Sequence, residues 1–372
     1  MEVFEPKRTL LIMAPGLLSL VAGGLAGIAV MWAWAGRQLP LGLSIDQHFY
    51  LVIAGFFAAL IGNEILNVLS YEWAGRPAGF VLNVAYSALL WITVASVLSG
   101  NTSLAALTYA LMLVALISYS IRTYLKPSRI GLRPSAYNYL LPASLASSIG
   151  LAAAALALGG DVAVAMLYFP ISVIFAVMSR DLPLVTGTRP GGWALNALAF
   201  ALITAAFSFW TFGVEAAAGF LLIASWVAAL MASGLMRVAK KQRLFSYVKI
   251  HVAYLWLAAG GILLLASPGG LWRDVAIHAL SLGFIFNIVF GVDVILLDML
   301  MSQAPRRVVV KARGGVPLVE LATFILLNAG LLARAAYAGT LERLLALVSG
   351  PLTGIAIVAF LLNMQMRLRK MA

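Results

Sequence analysis

The chain has no cysteine, only three histidines and only thirteen acidic residues among its 372 positions. Without thiols there can be no disulfide, thiolate metal site, iron–sulfur cluster or covalently attached c-type haem, so any haem must be held by His or another non-Cys ligand. Long polar stretches are also missing. The longest, near 124–136, 237–246 and 301–315, are too short to bury a core of their own. Charged residues make up 10% of the chain and hydrophobic ones 63%, which sets it apart from soluble domains.

What fills the chain instead is a series of apolar runs, each about 20 residues long, the length that crosses a hydrocarbon core. They fall near 9–35, 46–70, 78–99, 102–124, 137–159, 161–180, 192–212, 214–236, 246–266, 274–300, 316–338 and 343–367. The expected fold is therefore all-α: a polytopic integral membrane bundle of about twelve helices. The first run is too long for a signal-peptide core and has no small-residue cleavage site followed by a soluble domain, so it should be a retained helix. One integral domain over 1–372 is expected, with a possible boundary between six-helix halves, 1–213 and 214–372.

Basic residues supply the orientation. With the amino terminus in the cytoplasm, 21 of the 25 Lys and Arg fall on internal segments. Only Arg37, Arg273, Arg334 and Arg343 lie outside, together with the acids Asp46, Asp161, Glu215, Asp274 and Glu342. Such asymmetry on short loops sets topology, so both termini should be cytoplasmic and the localisation a cell (plasma) membrane. The same distribution accounts for the net charge of +12. The cations are spread over loops without aromatic interleaving or a binding motif, so the expected partner is membrane lipid and not nucleic acid.

The informative residues are the ionisable ones inside the spans, where a charge costs several kcal/mol and generally finds a partner. His48 opens the second span and His278 lies near the start of the tenth; both spans run from outside to inside, so the two share a shallow outer depth. Imidazole is a frequent metal ligand and the usual axial ligand of non-covalent haem, and two at matched depth on different helices could clamp one iron. Each could equally be an interfacial His bonded to a carbonyl. Toward the inner face lie Glu64 on the second span, His251 on the ninth and Asp293 on the tenth, with Asn63 and Asn67 nearby. These could form a metal site or a proton relay, or they could join helices by hydrogen bonds alone. Gly23 and Gly27 have the four-residue spacing that lets helices approach closely.

Several stretches resemble the NnrS family of haem- and copper-associated membrane proteins linked to the nitric oxide response. The second span opens with QHFYLVIAGF, where His48 and Gly55 match that family's His-x-His-Glu-Met…Gly-Phe segment. YEWAGRP is similar to its Trp-x-Gly-Arg-Pro turn through Trp73, Gly75, Arg76 and Pro77. MSRDLPLVTGTRP is similar to its Arg-x-x-Pro loop through Arg180 and Pro183. IHVAYLWLAAG matches a His-x-x-Tyr-x-Trp-Leu-x-x-Gly pattern through His251, Tyr254, Trp256, Leu257 and Gly260. IHALSLGFIF matches a His-Ala-Leu-Thr-x-Gly pattern through His278, Ala279, Leu280 and Gly283.

The matches occur in the family's order and include all three histidines. The departures are Tyr50 and Leu51 where the family has a second His and a Glu, and MSQAPRR in place of a His-x-Gly-Arg-Pro element after the tenth span. The resemblance implies a b-type haem with His48 and His278 as ligands, and nitric oxide as a ligand. It also implies an electron donor, and a second metal ion such as copper, for which His251, Glu64 and Asp293 are the candidates. A full haem–copper oxidase core normally needs about six histidines, twice what is present. The alternative of another class is a secondary transporter built on buried carboxylates.

Overall fold

The structure is a computed structural model, and it describes residues 6–39, 42, 44–186, 192–237, 244–267, 269–292 and 317–369. Twelve helices among the described residues are long and apolar enough to cross a membrane. They are α1 (Lys7–Trp34), α2 (Ile45–Ala74), α3 (Phe80–Leu98), α4 (Thr102–Tyr124), α5 (Ala136–Leu158) and α6 (Val162–Pro183), followed by α7 (Trp193–Thr211), α8 (Glu215–Ser233), α9 (Phe245–Ala266), α10 (Gly270–Val292), α11 (Leu318–Thr340) and α12 (Arg343–Met364). No strand occurs among the described residues. The protein is an all-α, multi-pass membrane protein, as its apolar runs require: in hydrocarbon every backbone polar group must be satisfied within its own segment.

The chain divides into two compact units. One holds Met1–Val177 with Thr211–Gly213, the other Met178–Trp210 with Val214–Ala372. Three helices are far more buried than the rest: 72% of the central window of α2 and 78% of those of α6 and α10 lie inside the protein, against 33–50% elsewhere. Polar side chains on α2 and α10 are therefore shielded from lipid to a degree that the other ten helices, α6 apart, cannot offer.

In the first unit α1 and α2 approach closely along small residues. A methyl added at Gly16 would come within 2.4 Å of the Ala59 side chain, and one at Gly55 within 2.2 Å of Ser19 Oγ. Such contacts bring backbones together where lipid offers no hydrophobic drive for helix association. α2 is also wound wide, with π-helical stretches at Leu51–Phe57 and Glu64–Val68. A π turn leaves carbonyls without their usual i+4 partners. Two tyrosines from neighbouring helices meet α2 carbonyls: Tyr86 donates to Ala58 O at 2.7 Å and Tyr124 to Ile65 O at 2.5 Å.

The turn after α2 explains its YEWAGRP sequence. Gly75 ends the helix in the left-handed conformation, φ +72°, and packs on the Arg129 side chain. Trp73 donates its indole N–H to Lys126 O at 3.0 Å, Arg129 N–H donates to Trp73 O at 2.9 Å, and Ser70 Oγ donates to Arg76 O at 2.8 Å. The α4–α5 loop is thereby tied down on the end of α2. Gly75→Ala should lower the melting temperature of the detergent-purified protein, because a left-handed L-residue costs about 1–2 kcal/mol and the new methyl would meet Arg129 Cδ at 2.3 Å. An unchanged melting temperature would contradict this account of the turn.

Candidate functional site

His48 lies in the first turn of α2, which Ser44 and Gln47 close with a reciprocal capping box. Gln47 also donates to Val97 O at 3.0 Å, fastening the turn to the end of α3. The half-buried imidazole is turned onto α1. Its Nδ1 lies 2.6 Å from Gly23 O, and a methyl at Gly27 would come within 2.7 Å of its Cε1. A carbonyl oxygen can only accept, so Nδ1 carries the proton and Nε2 the lone pair. Gly23 supplies the carbonyl and Gly27 the space, so the glycines that the sequence offers only as a packing spacing also orient a candidate ligand.

His278, in the second unit, ends the regular turns of α10 directly before a π-helical stretch, Ala279–Phe286. Its Nδ1 is 2.8 Å from Asp274 O and 3.2 Å from Asp274 Oδ1. Arg334 on α11 reaches the same place, with Nη1 2.5 Å from Asp274 Oδ2 and 3.0 Å from His278 Nδ1. Two acceptor oxygens beside Nδ1, with the guanidinium already engaged by the carboxylate, put the ring proton on Nδ1 and leave Nε2 as the ligating nitrogen. Arg334 is only 7% exposed, so its partner is essential: an unpaired cation at that depth would not be tolerated. Beside it Arg273 pairs with Glu215 on α8 at 3.0 Å.

Further along the same helices the polar groups change character. Asn287 of α10 and Asn328 of α11 exchange amide hydrogen bonds at 3.2 and 3.1 Å, and Trp256 of α9 donates its indole N–H to Asn328 Oδ1 at 2.7 Å. Beyond them Lys249 of α9, fully buried, donates to Glu320 Oε2 at 3.3 Å and to Phe290 O at 3.0 Å, with its ammonium 4.9 Å from the centre of the Phe245 ring. Glu320 is itself 4% exposed.

The inner residues read from the sequence are placed differently. His251 is exposed, and its Nδ1 bonds Tyr247 O of its own helix at 2.7 Å. Glu64 is half-buried in the first unit, while His251 belongs to the second. Asp293 lies outside the described residues. Asn63 and Asn67 do meet, Asn67 Nδ2 donating to Asn63 Oδ1 at 3.0 Å. Among the described residues no group of three or more His, Asp or Glu could hold a metal ion.

Sequence reasoning missed the Lys249–Glu320 and Arg334–Asp274 pairs. Lys249, Asp274 and Arg334 had been absorbed into the charge asymmetry that sets topology, although Arg334 stands six residues inside α11 and Asp274 precedes His278 by one helical turn, both of which mark buried partners. The chain matches no known family model and no curated protein.

Proposed function

We propose that this is a haem-binding protein of the plasma membrane, acting in nitric oxide or nitrogen-oxide metabolism as the NnrS resemblance implies, with His48 and His278 as haem ligands. The observation that carries the reading is shared by both residues. Each is a half-buried imidazole at the start of a π-wound stretch on a heavily buried helix, with Nδ1 held by a backbone carbonyl so that Nε2 is the free-electron-pair nitrogen. Histidine ligands ordinarily have their second nitrogen fixed in this way, which sets tautomer and ring direction. π-helical insertions are themselves frequent at functional sites.

Bound haem would supply a redox-active iron able to take a diatomic ligand such as nitric oxide. The protein's part is to aim two nitrogens and exclude water. Gly23 O and Gly27 fix the plane of His48. Asp274 fixes His278, and Arg334 balances the Asp274 carboxylate while offering a cation at the same level. Reduction would draw on an external electron donor. The proposal does not extend to copper at His251, Glu64 and Asp293, because His251 is exposed and bonded to its own helix.

The test is a Soret band in the protein purified from membranes, with a b-type pyridine haemochrome; protein that remains colourless after expression with ample haem would refute the reading. A secondary transporter is the second reading, favoured by the buried Lys249–Glu320 pair, and a haem-free protein would leave it standing. Either version places both termini in the cytoplasm. Reporters fused after residues 130, 242 and 310 should all read cytoplasmic, and an external signal at any of them would overturn that orientation.

A further inference from the structure

Within the second unit the polar groups of α9, α10 and α11 form a succession along the membrane normal. Glu320, Asn328 and Arg334 lie on one helix; at 1.5 Å per residue Asn328 is about 12 Å and Arg334 about 21 Å from Glu320, most of a ~30 Å hydrocarbon core. Each level is joined to neighbouring helices: Glu320 to Lys249, Asn328 to Asn287 and Trp256, Arg334 to Asp274 and His278. Both ends are ionisable and the middle is amide. The interval between Asn328 and Arg334 contains a further polar group. A methyl at Gly330 would come 2.8 Å from Ser349 O of α12, which puts Ser349 at that level, and the buried Ser349 hydroxyl has no hydrogen-bond partner among the described residues. Opposite this interval α10 is π-wound from Ala279 to Phe286.

We propose that this column is a proton path through the second unit, with Glu320 as its cytoplasmic acceptor and the Asp274–His278 pair as its acceptor at the other face. Adhesion between helices accounts for any single polar pair. It does not require titratable groups at both ends of one column, nor an unpaired hydroxyl between them. A proton from cytoplasmic water binds the Glu320 carboxylate and breaks its ion pair. Lys249 can then remain charged, because Phe290 O and the Phe245 ring still hold its ammonium. The proton leaves Glu320 to water held by the Asn287 and Asn328 amides and the Ser349 hydroxyl, is taken up by Asp274 or His278, and is released outside, restoring the Glu320–Lys249 pair. One proton crosses per cycle, driven by its electrochemical gradient, with no other bond or electron changed. The proposal stands independently of haem.

The experiment uses the full chain in liposomes with a trapped pH dye, and a valinomycin–potassium diffusion potential as the drive. Wild-type protein should take up protons faster than protein-free vesicles. Glu320→Gln, which keeps the shape but cannot titrate, should fall to the protein-free level, and Glu320→Asp should restore flux. Asn328→Leu and Asn287→Leu, each of nearly unchanged volume, should do the same as Glu320→Gln by drying the middle layer. Wild-type flux no greater than that of protein-free vesicles would overturn the proposal. So would wild-type flux in Glu320→Gln or in both leucine variants that purify as monodisperse protein. A Soret band without proton flux would refute the path and leave the haem reading intact.

Discussion

Purified His48→Ala protein should contain less haem than wild type and show a weakened or shifted Soret band, and His278→Ala should do the same. An axial imidazole donates directly to iron, so its removal alters both affinity and spectrum. Alanine leaves the rest of each site in place: Gly23 and Gly27 line a small void, and Asp274 keeps Arg334. Insertion and yield should therefore stay near wild type, which separates ligand loss from misfolding. Gly27→Ala tests the same site without touching the ligand. Its methyl would press within 2.7 Å of Cε1, so the ring must turn away from Gly23 O and the spectrum should change even though His48 is present. If His48→Ala and His278→Ala both keep wild-type haem content and spectrum, the assignment of these ligands fails.

The largest stability effect is expected at the other end of the second unit. Lys249→Ala or Glu320→Ala would each leave the opposite charge buried, a change that costs about 3–5 kcal/mol when one partner of a buried pair is removed. The double variant Lys249→Met with Glu320→Leu removes both charges and retains the volume, and it should recover most of that loss, since a packed apolar replacement of a buried pair is often neutral or stabilising. Thermal unfolding in detergent, followed by loss of monodisperse protein, reads both arms. A double variant no more stable than the single variants would show that the two charges do not act as a pair.

Much of the fold could be read directly from the sequence because hydrocarbon thickness imposes a length on every span, and the twelve runs match the helices closely. The winding of α2 and α10 could not be read. A π turn is set by what neighbouring helices offer to displaced carbonyls, as Tyr86 and Tyr124 do for Ala58 and Ile65, and no local pattern on α2 encodes those hydroxyls. For the site, sequence depth placed His48 and His278 at helix starts but gave no means to see that Gly23 would supply a carbonyl across helices. Depth also suggested His251 for the inner set, yet direction around the helix axis decides burial, and His251 faces outward while Lys249, two residues before it, faces in. Counting Lys249 and Arg334 only as topology signals hid them, because the charge rule reads position along the chain and is blind to partners separated by 60 to 71 residues.

The two ion pairs also bear on how the chain is made. α11 carries Glu320 and Arg334, and its insertion alone would be expensive: a charged residue near a helix centre costs about 2.5–3.5 kcal/mol on translocon scales. Its partners, Lys249 on α9 and Asp274 on α10, are both upstream, so when α11 leaves the ribosome the opposite charges have already been synthesised. Biogenesis of the last hairpin then depends on α9 and α10 remaining beside the translocon until α11 arrives, and a chain truncated before α11 would have Lys249 and Asp274 in the bilayer without Glu320 and Arg334, a form that membrane quality control can recognise.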